Sequence, residues 1–206
     1  MDTLLTPNNL FIAIVATTAI LTVTAEWRVS LLALLAQYLV AATLLGRFVT
    51  PQVAAIKVFV GALVCVILYL GARSAEQHPG SEGFVTDAAR RALVWSPTLE
   101  DLLLRALAVA VVGAGVLGTG IGQAGFEGPT ATLAPAAWLA IVGILLLVLG
   151  RATFAVGLGL LTFQTGFEVF HSPINSTPLM LGALAAIHVL LALGIAYGLG
   201  QEGEEE

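Results

Sequence analysis

Long apolar runs broken by short polar interruptions dominate the chain. Seven stretches are almost wholly apolar: 9–25, 29–46, 51–72, 101–120, 136–150, 153–170 and 178–200. Each approaches the roughly 20 residues that a helix needs to cross the hydrocarbon of a bilayer. The breaks carry charge or turn signals: Glu26-Trp27-Arg28, Arg47 to Pro51, the polar stretch after Arg73, the glycine-rich segment from Gly120 to Pro135, Arg151, and His171 to Pro178. The runs are too long and too continuously apolar for the alternating strands of a membrane barrel. The pattern predicts an all-α polytopic membrane protein of about seven spans, forming one domain over 1–200 with an acidic tail at 201–206. Only Arg151 separates the fifth and sixth runs, so one broken helix in their place, giving six spans, is the competing count.

Composition removes the soluble alternative. Apolar residues make up 58% of the 206 and charged residues 10%, and mean hydropathy is +0.98. A soluble domain carries about 25% charged residues. A single cysteine excludes a disulfide scaffold. Net charge is −5, and −1 without Glu202, Glu204, Glu205 and Glu206, so the acidity is mostly a solvated tail. With no basic cluster, nucleic acid is not an expected partner.

Lys and Arg near the span ends set the expected orientation. With the N-terminus outside, Arg28, Arg73, Arg90, Arg91, Arg105 and Arg151 fall on the inner side and Arg47 alone on the outer. This predicts an N-out, C-in protein of the bacterial cytoplasmic (inner) membrane. Between spans three and four, Phe84, Val85, Ala88, Ala89, Ala92, Leu93 and Trp95 recur at helical spacing. A short helix lying in the interface and a helix packed under the bundle fit that pattern equally well. Thr98, with Asp101 three residues on, forms a capping box that opens span four. A faint repeat at an offset of 127 aligns Gln37 with Gln164, Leu34 with Leu161, and Thr50-Pro51 with Thr177-Pro178. It would match spans two and three with spans six and seven, pointing the same way.

Polar residues inside the spans are the candidate functional positions, because hydrocarbon makes them costly. Lys57, the only lysine, lies six residues past Pro51, about 9 Å deep at 1.5 Å per residue. It has two readings: a side chain that snorkels to the headgroups, or a buried and partnered amine able to exchange its proton. Glu168 lies at a similar depth in span six. It is either the neutralising partner of Lys57 or an ordinary interfacial carboxylate. His188 lies ten residues into span seven, about 15 Å deep. Gln37 and Gln164 lie near that level, so the three form either a polar layer of interhelical hydrogen bonds or part of a proton path. His171 is expected at the solvated boundary and Cys65 as a small hydrophobe. A lone His188 specifies no cofactor, and none is expected. The glycines of spans four (Gly113, Gly115, Gly118, Gly120) and six (Gly157, Gly159, Gly166) suit close helix packing, within the bundle or against partner subunits. The sequence carries no Ser-His-Asp set, metal-ligand cluster or paired carboxylate site, so a catalytic centre in this chain is not expected.

The stretch 151–166, RATFAVGLGLLTFQTG, resembles the membrane subunit component E of hydrogenase-4 and, more distantly, the small K-type subunit of respiratory complex I. Arg151 stands where that pattern has a basic residue at the start of a span. Gly159 and Gly166 stand at its two glycines. Lys57 in the third span and the overall length also suit component E. The chain departs from the pattern where an acid is expected: Gln164 replaces the glutamate of component E, and Leu161 that of the K-type subunit. Glu168, one turn past Gln164, is the nearest substitute. The resemblance implies a non-catalytic subunit docked beside larger antiporter-like chains of a proton- or sodium-translocating complex. A structural scaffold subunit of a respiratory or photosynthetic complex and a small independent transporter are the other two readings.

Overall fold

The computed structural model describes residues 7–24, 26–47, 50–77, 99–118, 132–150, 152–174 and 177–201. These form seven α-helices: α1 (Pro7–Val23), α2 (Trp27–Leu45), α3 (Pro51–Gln77), α4 (Leu99–Gly118), α5 (Leu133–Leu149), α6 (Thr153–His171) and α7 (Pro178–Gln201). The expected interfacial helix at 84–95, the Thr98 cap, Arg151 and the acidic tail lie outside the described residues. α1, α3 and α7 each begin on a proline, whose fixed φ suits the first helical turn and whose missing N–H costs nothing there.

α2, α6 and most of α3 and α7 are long and apolar enough to cross a membrane. α1 and α5 are shorter, with 17 residues each, and the apolar stretch described for α4 runs over Leu103–Val116. Large apolar side chains cover the outside: Leu179 is 86% exposed, Val148 77% and Phe59 69%. Such a surface belongs against lipid rather than water, and the chain is a helical membrane protein. Helix bounds follow the apolar runs to within a few residues, with two departures. α3 runs on through Arg73 and Ser74 to Gln77, because a helix does not end where hydropathy does. α5 starts at Leu133 rather than 136, with Pro135 tolerated in its first turn.

α5 and α6 are separate helices. Gly150 (φ −71°, ψ 123°) and Ala152 (φ −97°, ψ 142°) are extended, and the chain reverses between them. The two helices then pack backbone to backbone. A Cβ on Gly143 would lie 2.5 Å from the Phe163 nitrogen, one on Gly159 2.8 Å from the Leu147 nitrogen, and one on Gly166 2.7 Å from the Ala140 nitrogen. Gly159, Phe163 and Gly166 recur at helical spacing, so one face of α6 makes the whole contact.

The remaining packing has a simple order. Sequential helices α1–α2, α2–α3, α5–α6 and α6–α7 are neighbours, and the two groups meet through α1 with α5, α2 with α6 and α3 with α7. α4 packs on α5 and α1. α1–α3 and α5–α7 thus form two three-helix units joined by α4. One buried bond ties the two groups together, and a part-buried one fastens α4 to α5. Trp138 Nε1 donates to Thr18 Oγ1 at 2.8 Å, and Arg105 Nη2 donates to the Leu149 carbonyl at 2.9 Å. The second bond neutralises the carbonyl end of α5, where a cation is favourable.

Candidate functional site

Four helices meet around Lys57. α3 carries the lysine on its buried face, and the side chain is 5% exposed, which rules out snorkelling. Its Nζ donates to Glu168 Oε2 of α6 and lies 3.4 Å from His188 Nε2 of α7. It also sits 4.8 Å from the centroid of the Tyr38 ring of α2, within cation–π range. Gly61, one turn along α3, makes room for that ring: a Cβ there would lie 2.6 Å from Tyr38 Cγ.

His188 is fully buried and its tautomer follows from its partners. Nδ1 donates to the Leu184 carbonyl at 2.9 Å, one turn back on the same helix. Nε2 is then the acceptor, facing Lys57 Nζ and lying 3.5 Å from Thr165 Oγ1. The Thr165 hydroxyl donates to the Leu161 carbonyl at 2.9 Å. The imidazole ring stands edge-on to Tyr38 at 5.6 Å between centroids. An ammonium is thus held by a carboxylate, an imidazole nitrogen and an aromatic face, all shielded from lipid. The set can hold a proton at three adjacent atoms: Lys57 Nζ, Glu168 Oε2 and His188 Nε2.

A cavity of about 100 Å³ reaches this cluster between α3, α6 and α7. Lys57, Glu168, Ser172, Gly182, Ala185 and His188 are among its lining residues. All but His188 lie near the end of the bundle where α3 and α7 begin and α6 finishes. At the opposite end α3 and α7 close up: a Cβ on Gly71 would lie 2.8 Å from Ala196 Cβ. The cavity's lining residues thus gather at the first of these two ends.

The other sequence candidates stay apart from the cluster. Gln37 is fully buried next to Tyr38, and neither amide atom has a hydrogen-bond partner. Gln164 Nε2 is likewise buried without a partner. The expected level of Gln37, Gln164 and His188 is thus not joined by hydrogen bonds; His188 goes with Lys57 instead. His171 is half-buried, not solvated, stacked on Phe167 at 5.8 Å. Cys65 Sγ points at the Leu31 carbonyl, 3.8 Å away. Gly159 and Gly166 serve the α5–α6 contact, and Arg151 lies outside the described residues. Among the described residues no group of three His, Cys, Asp or Glu is placed to hold a metal ion. Sequence reasoning missed Tyr38, Thr165 and Ser172; a tyrosine beside Gln37 inside a span was the one available signal.

Comparison of the chain with protein-family models, with curated proteins and with solved structures finds no match in any of the three. The class rests on the helices, and the function on the site.

Proposed function

We propose that this chain is a non-catalytic membrane subunit of a multisubunit ion-translocating complex, similar to component E of hydrogenase-4. It spans the bacterial cytoplasmic membrane seven times, N-terminus out and C-terminus in, beside larger antiporter-like chains. The observation that carries the reading is the buried Lys57–Glu168 pair with His188 against it. An ionisable residue at a span centre costs roughly 2.5–3.5 kcal/mol on insertion scales. An apolar pair would fill the same space at no such cost, so retaining two charges and an imidazole indicates that their protons or charges are used. Electron-transfer chemistry belongs to other chains of the complex. Among the described residues nothing lies within 4 Å of a Cβ placed on Gly115 or Gly118 of α4, which supports a subunit reading, since it leaves small residues on an uncovered face of that helix.

Extraction in mild detergent followed by mass spectrometry tests this. Larger antiporter-like membrane chains should copurify, giving a complex well above 21.3 kDa. Recovery of the chain only as a monomer overturns the subunit reading. It would favour an independent transporter, which one further observation supports: the cluster lies between the two three-helix units, where transporters built from repeats place their sites.

A further inference from the structure

We infer that a groove between α5 and α6 holds one acyl chain of a phospholipid, drawn from the leaflet on the side where α6 ends. The inference is independent of the ion-translocating reading.

The groove has a volume of about 290 Å³ and shares no lining residue with the cavity beside Lys57. Its floor is made by small residues, Ala136, Ala137 and Ala140 of α5 and Gly166 of α6. They let the two backbones meet beneath it: a Cβ on Gly166 would lie 2.7 Å from the Ala140 nitrogen and 3.0 Å from the Ala136 oxygen. Phe163, Phe167 and Phe170 recur at helical spacing and form the wall along α6. Phe167 and Phe170 stand out from the bundle, 41% and 45% exposed.

Three observations select the occupant. Every lining residue is Leu, Ala, Gly or Phe, so a polar ligand would find no side-chain partner there. The groove extends from Leu133 to Ala140 on α5 and from Phe163 to Phe170 on α6, about 10 Å along each helix at 1.5 Å per residue. One leaflet supplies about 15 Å of hydrocarbon, half of a roughly 30 Å core, whereas a partner helix would run through both leaflets. The volume of about 290 Å³ then admits about ten chain carbons at roughly 30 Å³ for a group the size of a water molecule. That is one chain.

Lipid tails are as apolar as these side chains, so retention comes from van der Waals contact on several sides at once, against one side on an open helix face. The preference over bulk lipid is therefore severalfold. Phe167 lines the groove and its neighbour Glu168 holds Lys57, so a filled groove braces the turn of α6 that carries the carboxylate.

The full chain in nanodiscs of a phospholipid with a diazirine part-way along one acyl chain tests the site. Adducts are mapped by mass spectrometry after photolysis. Phe59 supplies the control: it is 69% exposed and lies eight residues from the start of α3, as Phe163 lies eight from the end of α6. Peptides carrying Ala137 and Phe163 to Phe170 should gain severalfold more adduct than the peptide carrying Phe59. Ala137→Phe fills the groove and should lower its labelling to the Phe59 level. Phospholipid returned to delipidated protein in detergent should raise the Tm of the wild type more than that of Ala137→Phe. Equal labelling of the two faces in the wild type means ordinary annular lipid and overturns the proposal, a comparison that needs no variant to fold. A groove without adducts, covered by protein instead, overturns it too, as does an equal rise in Tm.

Discussion

Lys57 and His188 are 131 residues apart in sequence and 3.4 Å apart at their nitrogens. Nothing local joins them. α3 and α7 lie side by side, and the long lysine stem spans the difference in depth between a residue six positions into one helix and a residue ten positions into the other. The Leu184 carbonyl holds the imidazole in the tautomer that presents a lone pair to the ammonium.

The glycines of α6 and α4 should respond in opposite ways to the same change. Gly159→Ala places a methyl 2.8 Å from the Leu147 nitrogen and 2.9 Å from the Gly143 oxygen. Both are backbone atoms, so α5 and α6 must separate, at about 1–3 kcal/mol. Gly115→Ala meets nothing within 4 Å among the described residues and should stabilise α4 by about 0.5–1 kcal/mol in the isolated chain. Thermal unfolding of both variants in detergent checks the contrast. Equal Tm values would show that the α5–α6 contact is looser than described.

Thr18 and Trp138 give a smaller, local test. The indole N–H has the Thr18 hydroxyl as its partner, and that hydroxyl itself donates to the Ile14 carbonyl at 2.8 Å. Thr18→Val keeps the shape and removes the acceptor. Interhelical hydrogen bonds in membranes average about 0.6 kcal/mol, so the loss should be near 1 kcal/mol. Trp138 fluorescence should shift as the indole loses its bond. An unchanged spectrum and Tm would remove the α1–α5 tie.

The helices were legible because hydrocarbon forces a continuous apolar run to satisfy its own backbone. Their ends were less so: Arg73 and Ser74 stay helical past the apolar run. Depth was legible too, since Pro51, Pro178 and His171 mark span ends and a fixed rise gives the rest. That put Lys57 and Glu168 at one level. Rotation about each axis was not legible, and it decides contacts. Successive residues differ by about 100°; Tyr38 faces Lys57 while Gln37, its neighbour, has no polar partner. Depth alone therefore grouped His188 with two glutamines, whereas helix rotation and the reach of a lysine gave it to the ion pair. The glycines of 151–166 marked close packing, but only the structure shows α5 as the partner helix.

Arg105 provides a test of topology. Its bond to the Leu149 carbonyl sets the start of α4 beside the end of α5, the side that the proposed N-out orientation puts in the cytoplasm. Reporters inserted after Gly150 and fused after Glu206 should both be active only in the cytoplasm. Activity on opposite sides would mean that one of the last two helices does not cross. Activity of both outside would mean the protein is inverted.

The ion pair can be tested for use as against mere presence by a double-mutant cycle. Glu168→Gln leaves a buried ammonium without its carboxylate, a loss of roughly 3–5 kcal/mol for pairs of this kind. Lys57→Met leaves a carboxylate that can protonate, so its cost should be smaller. The combined Lys57→Met, Glu168→Gln variant removes both charges, and its stability should return to the wild-type level or pass it by about 1–4 kcal/mol. Stability alone would then favour the apolar version, and any penalty must appear in function. In the proposed ion-translocating complex the double variant should assemble and fail to translocate ions. Lys57→Arg should assemble as well, because the guanidinium keeps the charge beside Glu168. It should also fail, because a guanidinium does not release its proton at working pH. Membrane vesicles with a pH-sensitive dye read both outcomes. Full translocation by Lys57→Arg would leave the lysine an electrostatic role and end its role as a proton donor. Full translocation by the double variant would reduce the buried pair to a structural contact.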